Sequence, residues 1–231
     1  MLERLGPDEG VLELRLNRPA RLNALTLALA RELAQAVRAA QTDDSVRVLL
    51  LSGEGRSFCA GKDRDDPATS EFVDALQDVA RALMEGAKPV VAAVQGWAVG
   101  AGLETLLNCD IVVASRDARF MLPEVNIGLF GTGGVLALLP RAVGLPRAKA
   151  MLMLGRELPA TDAHALGLIA MLCEPEQLAP TSRSMARDLA QRDPRVLAEI
   201  KASLHRESFG DLAGVLAREA QVHERLGVPR T

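Results

Sequence analysis

Two predominantly apolar runs of strand length, each followed by a glycine-bearing loop, constrain the fold of this chain more than any other feature, and the first contains a single charged residue, Arg47. Residues 46–51 form the first run, which a turn at 52–55 closes, and residues 89–94 form the second, which precedes a loop beginning at Gly96. Strands that lack polar alternation are typical of parallel sheets with both faces covered. The two runs therefore predict an α/β fold with a buried sheet.

Amphipathic segments surround the two runs. The residue pattern predicts strands at 11–16 and 111–114, and helices at 26–42, 67–84, 103–108 and from Val135 onward. Beyond Pro146 nearly every segment is predicted to be helical, at 146–154, 161–166, 175–192, 194–206 and 209–226. We therefore expect an α/β core over residues 1–145 and a helical C-terminal region over residues 146–231.

Composition excludes several classes of protein. The chain has 231 residues, of which 48% are hydrophobic and 25% charged, so it has the composition of a folded globular protein. A net charge of -3 without a basic stripe argues against a nucleic-acid partner. The widely spaced Cys59, Cys109 and Cys173 indicate neither a disulfide framework nor a metal site. No apolar run approaches the length of a membrane span, and we expect a cytoplasmic protein.

The loops at 60–63 and 100–102 share one chemical feature. Each follows a buried strand and offers backbone N–H groups that neither a sheet nor a helix consumes. Two such donors can form an oxyanion hole, and the second loop also opens a helix, whose N-terminus favours negative charge. Either loop can equally be a tight turn from strand to helix.

Two glutamates are candidate acids: one follows the second loop directly, and the other lies in a further loop of low charge. Glu104 is in the first turn of the helix that Gly102 opens, and Glu124 follows Pro123. Carboxyl groups in apolar surroundings acquire raised pKa values, and two that face one site can act as acid and base. Glu104 can instead complement the helix dipole, and Glu124 can simply accept backbone hydrogen bonds.

Taken together, the motifs resemble those of the enoyl-CoA hydratase/isomerase (crotonase) family from about residue 11 to 206. The matching segments are Asn17-Arg18-Pro19 with 22–25, Phe58 to Asp63, Lys88 to Gly96, Gly100 to Glu104, Cys109 to Ile111, Phe120 with Pro123-Glu124, and Gly128 to Gly134. The resemblance implies a spiral of ββα units, a C-terminal region used in trimerisation, and acyl-CoA chemistry through a thioester enolate. By position, the N–H groups of Lys62 and Ala101 would hold that enolate.

The resemblance also implies a role for each glutamate. Glu104 matches the family acid that activates water in hydratases, and Glu124 matches the acid that exchanges the proton at C2. Because both positions are filled, the leading expectation is an acyl-CoA lyase of lipid metabolism that adds water to a 2-enoyl-CoA. A double-bond isomerase of the same family and a degenerate CoA-binding subunit remain alternatives.

The CoA moiety of the substrate would lie near Arg21, Leu22, Lys62 and the backbone of Cys59 and Ala60, and no further cofactor is expected. The chain departs from the family pattern twice: residues 128–134 lack one residue and a proline, and relatives continue into a further helix beyond the position of Thr231. We therefore expect a reshaped acyl pocket, and either weaker nucleotide binding or completion of that site by a neighbouring subunit.

Apolar faces on the helices at 175–226 predict a homotrimer or a dimer of trimers. The three histidines, His164, His205 and His223, fall in the same helical region, far along the chain from both loops. No Gly-x-Ser-x-Gly motif accompanies them, which argues against a serine hydrolase. We assign none of the histidines to the site.

Overall fold

In the computed structural model, which describes residues 1–226, the two apolar runs lie side by side in a six-stranded sheet. The strands are β1 (Leu2–Asp8), β2 (Val11–Leu16), β3 (Val48–Gly53), β4 (Val90–Val94), β5 (Trp97–Val99), β6 (Ile111–Ser115), β7 (Arg119–Met121), β8 (Leu158–Pro159) and β9 (Met171–Cys173). The helices are α1 (Leu27–Thr42), α2 (Ser70–Glu85), α3 (Ala101–Leu107), α4 (Val135–Val143), α5 (Leu145–Leu154), α6 (Ala160–Ala165), α7 (Leu178–Ala190), α8 (Pro194–Phe209) and α9 (Leu212–Arg225).

The main sheet has the order β1-β2-β3-β4-β6-β9. Its first pair is antiparallel and all the others are parallel. A second, three-stranded sheet has the order β5-β7-β8. The predicted α/β class is therefore confirmed.

Helices cover both faces of the main sheet, as the absence of polar alternation predicted. Val48 and Leu50 of β3 belong to a cluster that includes Leu178 and Ala186 of α7. Leu49 and Leu51 point to the opposite face, into the larger core that contains the apolar sides of α1 and α2. Parallel strands acquire this double coverage because the helices that connect them lie on the faces of the sheet.

The two long helices begin at threonine caps. The Thr26 side chain accepts a hydrogen bond from the Leu29 N–H at 3.1 Å, and Thr69 accepts one from the Phe72 N–H at 3.3 Å. These caps satisfy N–H groups that the first helical turn leaves free. Because Thr69 is the cap of α2, the helix that was predicted from residue 67 begins at Ser70.

Six strands differ from or add to the sequence-based expectations, and one of them, β1, lies at the N-terminus where no element was predicted. The strand predicted at 46–51 is shifted to Val48–Gly53, and β5 and β7 lie in stretches expected to be loops. Beyond residue 145 the chain is not only helical, since β8 and β9 complete the two sheets. Strands of two or three residues are too short to show a hydrophobic period, which is why the pattern missed them. The division into a core and a C-terminal region stays a prediction.

The last two helices pack back onto the body of the same chain. The buried Lys201 of α8 donates from Nζ to the Leu83 carbonyl at the end of α2 and to Asp110 Oδ2, at 2.7 and 2.8 Å. α9 lies against α2 and α4. Within residues 1–226 we find no helix of the length and apolar character that crossing a bilayer requires.

Candidate active site

A cavity of about 590 Å³ opens between the two loops that the sequence singled out. Its walls come from both loops, α2, α3, the segment after β7, and α9. Apolar side chains form much of the lining, among them Phe72, Val73, Leu76, Leu129 and Phe130. Five of the predicted site residues also line it: Ala60, Lys62, Ala101, Glu104 and Glu124.

The two loops are held next to each other by a short parallel backbone pairing. The Cys59 N–H donates to the Trp97 carbonyl at 2.9 Å, and the Val99 N–H donates to the Cys59 carbonyl at 3.0 Å. A Cβ atom added to Gly61 would lie 2.7 Å from the Val99 carbonyl oxygen and 3.8 Å from the Ala101 nitrogen. Gly61, at a φ of +91°, therefore allows the first loop to approach the start of α3.

On its other side, the first loop pairs with Leu25. The Leu25 N–H donates to the Gly61 carbonyl, and the Asp63 N–H donates to the Leu25 carbonyl, both at 2.7 Å. Because N–H groups alternate in direction along extended backbone, the Lys62 N–H points away from Leu25, on the side of the second loop. Ala101 is the first residue of α3, and its N–H has no acceptor within that helix.

The Lys62 side chain is committed to its own loop. Its ammonium donates to the backbone carbonyls of Asp63 and Asp66 and lies 5.3 Å from the centroid of the Phe72 ring. Burial lowers the pKa of Lys62, opposed by the charges of Asp66 and Asp63. The neighbouring Asp63 is itself buried and pairs with Arg18 at 2.8 Å.

Glu104 lies in the first turn of α3 and is almost completely buried, with 4% of its surface exposed. Its Oε1 accepts a hydrogen bond from the Thr132 N–H at 2.8 Å. Burial raises the pKa of Glu104 well above its usual value, the nearby Glu124 raises it further, and the Thr132 hydrogen bond opposes both effects.

Glu124 begins a short 3-10 turn, Glu124–Ile127, that follows β7. Burial raises the pKa of Glu124 to about 7. Its Oε2 is buried and has no hydrogen-bond partner within the described part of the chain. A Cβ at Gly100 would lie 2.5 Å from Glu124 Oε1, so a side chain at position 100 would displace this carboxyl group from its present position.

The two carboxyl groups thus influence each other across one largely apolar cavity. When two acids interact strongly, their protons leave in two steps that belong to the pair. The raised pKa values mean that the pair retains a proton near neutral pH. This arrangement can donate one proton and accept another at the same bound molecule.

The residues expected to contact CoA lie at one rim of the cavity, in and next to the first loop. Arg21 is exposed and its guanidinium pairs with Asp63 and Asp65. The Leu22 carbonyl accepts a hydrogen bond from the Ala60 N–H at 2.9 Å, and Ala60 lines the cavity. The Cys59 side chain is fully buried, and burial raises the pKa of its thiol to about 12. Cys59 can therefore offer a ligand only its backbone.

Three residues that the sequence did not single out are part of this site. Thr132 supplies the N–H that binds Glu104. His223 of α9 lines the cavity, so the expectation that all three histidines lie apart from the loops is wrong for this one. Glu219, one turn before it, accepts hydrogen bonds from the Gly134 and Leu136 N–H groups at 2.8 and 3.2 Å. No local pattern links residues so distant along the chain, and only the return of α9 brings them together.

The chain is similar to known proteins over most of its length. The sequence profile described as Enoyl-CoA hydratase/isomerase matches residues 6–228. The 1,2-epoxyphenylacetyl-CoA isomerase of Escherichia coli (strain K12) is 38% identical over 208 residues, which are 86% of this chain and 79% of that protein. The 2,3-dehydroadipyl-CoA hydratase of the same strain is 36% identical over 220 residues, covering 93% and 86% of the two chains.

The fold comparison agrees with the sequence comparison. The crystal structure of an enoyl-CoA hydratase from Mycobacterium avium subsp. paratuberculosis K-10 has a TM-score of 0.92 and 33% identity, covering 97% of this chain and 92% of that one. The fold and the match over nearly the whole chain define a protein of the crotonase class. The chain belongs to the enoyl-CoA hydratase/isomerase family, whose members act on acyl-CoA thioesters, and the predicted crotonase-like fold is confirmed.

The buried carboxyl pair should make stability depend on pH. A carboxyl group whose pKa rises from 4.5 to about 7 on folding destabilises the folded state progressively as the pH rises from about 4.5 to 7. We expect the free energy of unfolding of Glu124→Gln at pH 8 to exceed that of the wild type by at most about 3 kcal/mol, and to show no such gain at pH 4. Denaturant titration at the two pH values measures both free energies.

The exposed Glu176 gives a matched control, and Glu176→Gln should leave the pH dependence of unfolding unchanged. Equal stability of Glu124→Gln and wild type across the whole pH range would show that the Glu124 carboxyl is not desolvated.

Proposed function

We propose that this protein is an enoyl-CoA hydratase that adds water across the double bond of a 2-enoyl-CoA thioester. The observation that carries the proposal is the pair of buried, mutually interacting carboxyl groups of Glu104 and Glu124 at one cavity. Hydration needs a base that takes a proton from water and an acid that gives a proton to a carbon atom. Two interacting carboxyl groups that together retain one proton supply both.

In the proposed reaction, the thioester oxygen accepts hydrogen bonds from the Lys62 and Ala101 N–H groups. One glutamate, by family position Glu104, takes a proton from water as the water oxygen bonds to C3. The electron pair of the double bond moves onto the thioester oxygen and forms an enolate, which the two donors stabilise. Glu124 then delivers its proton to C2, so that the elements of one water molecule are added.

The contacts around each group support these roles. The Thr132 N–H binds Oε1 of Glu104 and stabilises the ionised form that a base requires, so it opposes the rise in the Glu104 pKa that burial and Glu124 cause. The unpartnered Oε2 of Glu124 is suited to carry a proton to a bound carbon atom. Apolar walls around both groups strengthen each electrostatic interaction.

CoA would enter at the rim formed by the first loop, near Arg21, Leu22 and the Cys59 and Ala60 backbone. The Lys62 side chain already binds two backbone carbonyls, so its proposed part in the site is to hold the loop and offer its N–H. The arginine is engaged by two aspartates but remains exposed enough to meet a phosphate group. We propose no cofactor besides the CoA of the substrate.

A double-bond isomerase is the second candidate, because the family is described as enoyl-CoA hydratase/isomerase and a relative that is 38% identical is named an isomerase, in that case of an epoxide. Isomerisation moves one proton between two carbons and consumes no water. Either carboxyl group alone can serve that reaction, whereas hydration uses both.

The reaction can be tested by following the absorbance of the conjugated enoyl thioester. We expect water-dependent loss of this absorbance in the wild type, and a decrease in kcat of at least about a hundredfold in both Glu104→Gln and Glu124→Gln. Near-full activity in either variant would favour the one-acid isomerase. A folded wild-type protein that binds acyl-CoA without turnover would favour the degenerate subunit.

The backbone donors can be tested at Ala101, the first position of α3. Proline is compatible with this helix position but has no N–H, whereas glycine keeps the donor. We expect Ala101→Pro to lose roughly a hundredfold to a thousandfold in kcat and Ala101→Gly to stay active. Folding of both variants is checked by circular dichroism. An active Ala101→Pro enzyme would mean that another group holds the thioester oxygen.

We also propose that the protein assembles as a closed homotrimer or a dimer of trimers. Val196, Ile200 and Leu204 form an apolar row along α8, with exposures of 55%, 50% and 61%. The other predicted apolar faces are largely covered within the chain, since Leu178 and Leu216 are buried. An apolar row of this kind is typical of a contact between subunits.

Light scattering should give the mass of three or six chains, and Ile200→Glu should lower it by placing a charge in the contact. Arg206→Gln, a change of charge about 120° around α8 from Ile200, serves as the control and should leave the mass unchanged. A monomeric wild type at micromolar concentration would contradict the proposal.

A further inference from the structure

His223 is a buried polar residue at the candidate active site to which the proposed reaction gives no role. Only 6% of its surface is exposed, and it lines the same cavity as Glu104 and Glu124. Its ring meets Phe130 edge to face, with centroids 5.8 Å apart and an angle of 80° between the planes. The packing therefore fixes the plane of the imidazole.

Among residues 1–226 neither imidazole nitrogen makes a hydrogen bond of good geometry, and the Gly131 backbone is the one polar group close enough to act on the pKa of the ring. Buried polar groups almost always have a hydrogen-bond partner, because an unsatisfied donor or acceptor is destabilising. The part-buried His205 shows the usual situation, since its Nδ1 lies 3.0 Å from the Met84 carbonyl oxygen. An unpartnered histidine in a cavity wall is thus available to a bound molecule.

The backbone around His223 is held rigidly. Glu219, on the same face of α9, binds the Gly134 and Leu136 N–H groups at the start of α4. These two hydrogen bonds anchor α9 to the glycine-rich segment that also binds Glu104 through Thr132. The imidazole is consequently presented at a defined place relative to the carboxyl pair.

The surroundings favour a neutral partner for the ring. Burial lowers the pKa of His223, opposed by the Gly131 backbone, so the ring is neutral at physiological pH. A neutral imidazole has one donor and one acceptor, which match a hydroxyl group or, through the donor, a carbonyl oxygen. Three carboxyl groups, those of Glu104, Glu124 and Glu219, lie near this part of the cavity and disfavour a further carboxylate.

We propose that His223 recognises a hydroxyl or carbonyl oxygen carried by the acyl chain beyond the reacting carbons. This inference rests on the proposed function, since it takes the cavity to be the acyl pocket. The apolar wall formed by Phe72, Leu76 and Phe130 would hold the chain, and His223 would select among chains of equal length. The favoured substrates are therefore oxygenated 2-enoyl-CoA thioesters.

The experiment compares 2-hexenoyl-CoA with derivatives that carry a hydroxyl at C4, C5 or C6, or a carbonyl at C5. The quantity compared is kcat/KM for the best oxygenated substrate divided by kcat/KM for 2-hexenoyl-CoA. This ratio should fall roughly tenfold to a hundredfold in His223→Phe, because phenylalanine keeps the aromatic contact but has neither imidazole nitrogen. His223→Gln should restore part of the ratio. His164→Phe, the same change at an exposed histidine, should leave the ratio as in wild type.

Unchanged ratios in His223→Phe would overturn the inference. So would preference for a chain that ends in a carboxylate, since that would identify an anion as the partner. Calorimetric binding of hexanoyl-CoA and its saturated hydroxy derivatives separates this inference from the proposed function. If no enoyl thioester is turned over but the hydroxyl still strengthens binding through His223, only the hydratase proposal fails.

Discussion

The backbone pairing between Cys59 and the segment 97–99 is the interaction on which the rest of the site depends. Two hydrogen bonds join loops that leave different strands of the main sheet, and they set the Lys62 and Ala101 backbones beside each other. The main sheet makes this possible because β3 and β4 are parallel neighbours, so their following loops emerge at the same edge. Gly61 then permits the close approach that a side chain would block.

The carboxyl pair shows how a stable scaffold can hold an unfavourable arrangement. Two acids that share an apolar cavity each lose hydration, and their pKa values rise in consequence. The surrounding structure offsets this cost, because both faces of the main sheet are covered and the long helices are capped. The candidate active site therefore lies at the point where the sequence departs from the rule that charged groups lie at the surface.

Much of the fold could be predicted because the long elements carry strong periodic signals. The helix capped by Thr26, the buried strands and the α/β alternation follow directly from local patterns. Both glutamates could be found because acidic residues in apolar surroundings are conspicuous in a sequence. The short strands β5, β7, β8 and β9 could not, since their pairing is decided by neighbours far along the chain. His223 and Glu219 escaped for the same reason: their partners at 130–136 are more than 80 residues away.

The attachment of α9 also has a consequence for the order in which the site can be built. The Gly134 N–H donates to the carboxylate of Glu219, which lies 85 residues further along the chain. The segment that positions Glu104 is therefore synthesised long before Glu219 can bind it. Strands β1 to β9 all precede α9 in the sequence, so they leave the ribosome before α9 does. The cavity is thus completed only when synthesis has passed α9, and a chain interrupted before α9 carries the carboxyl pair without the wall that His223 contributes.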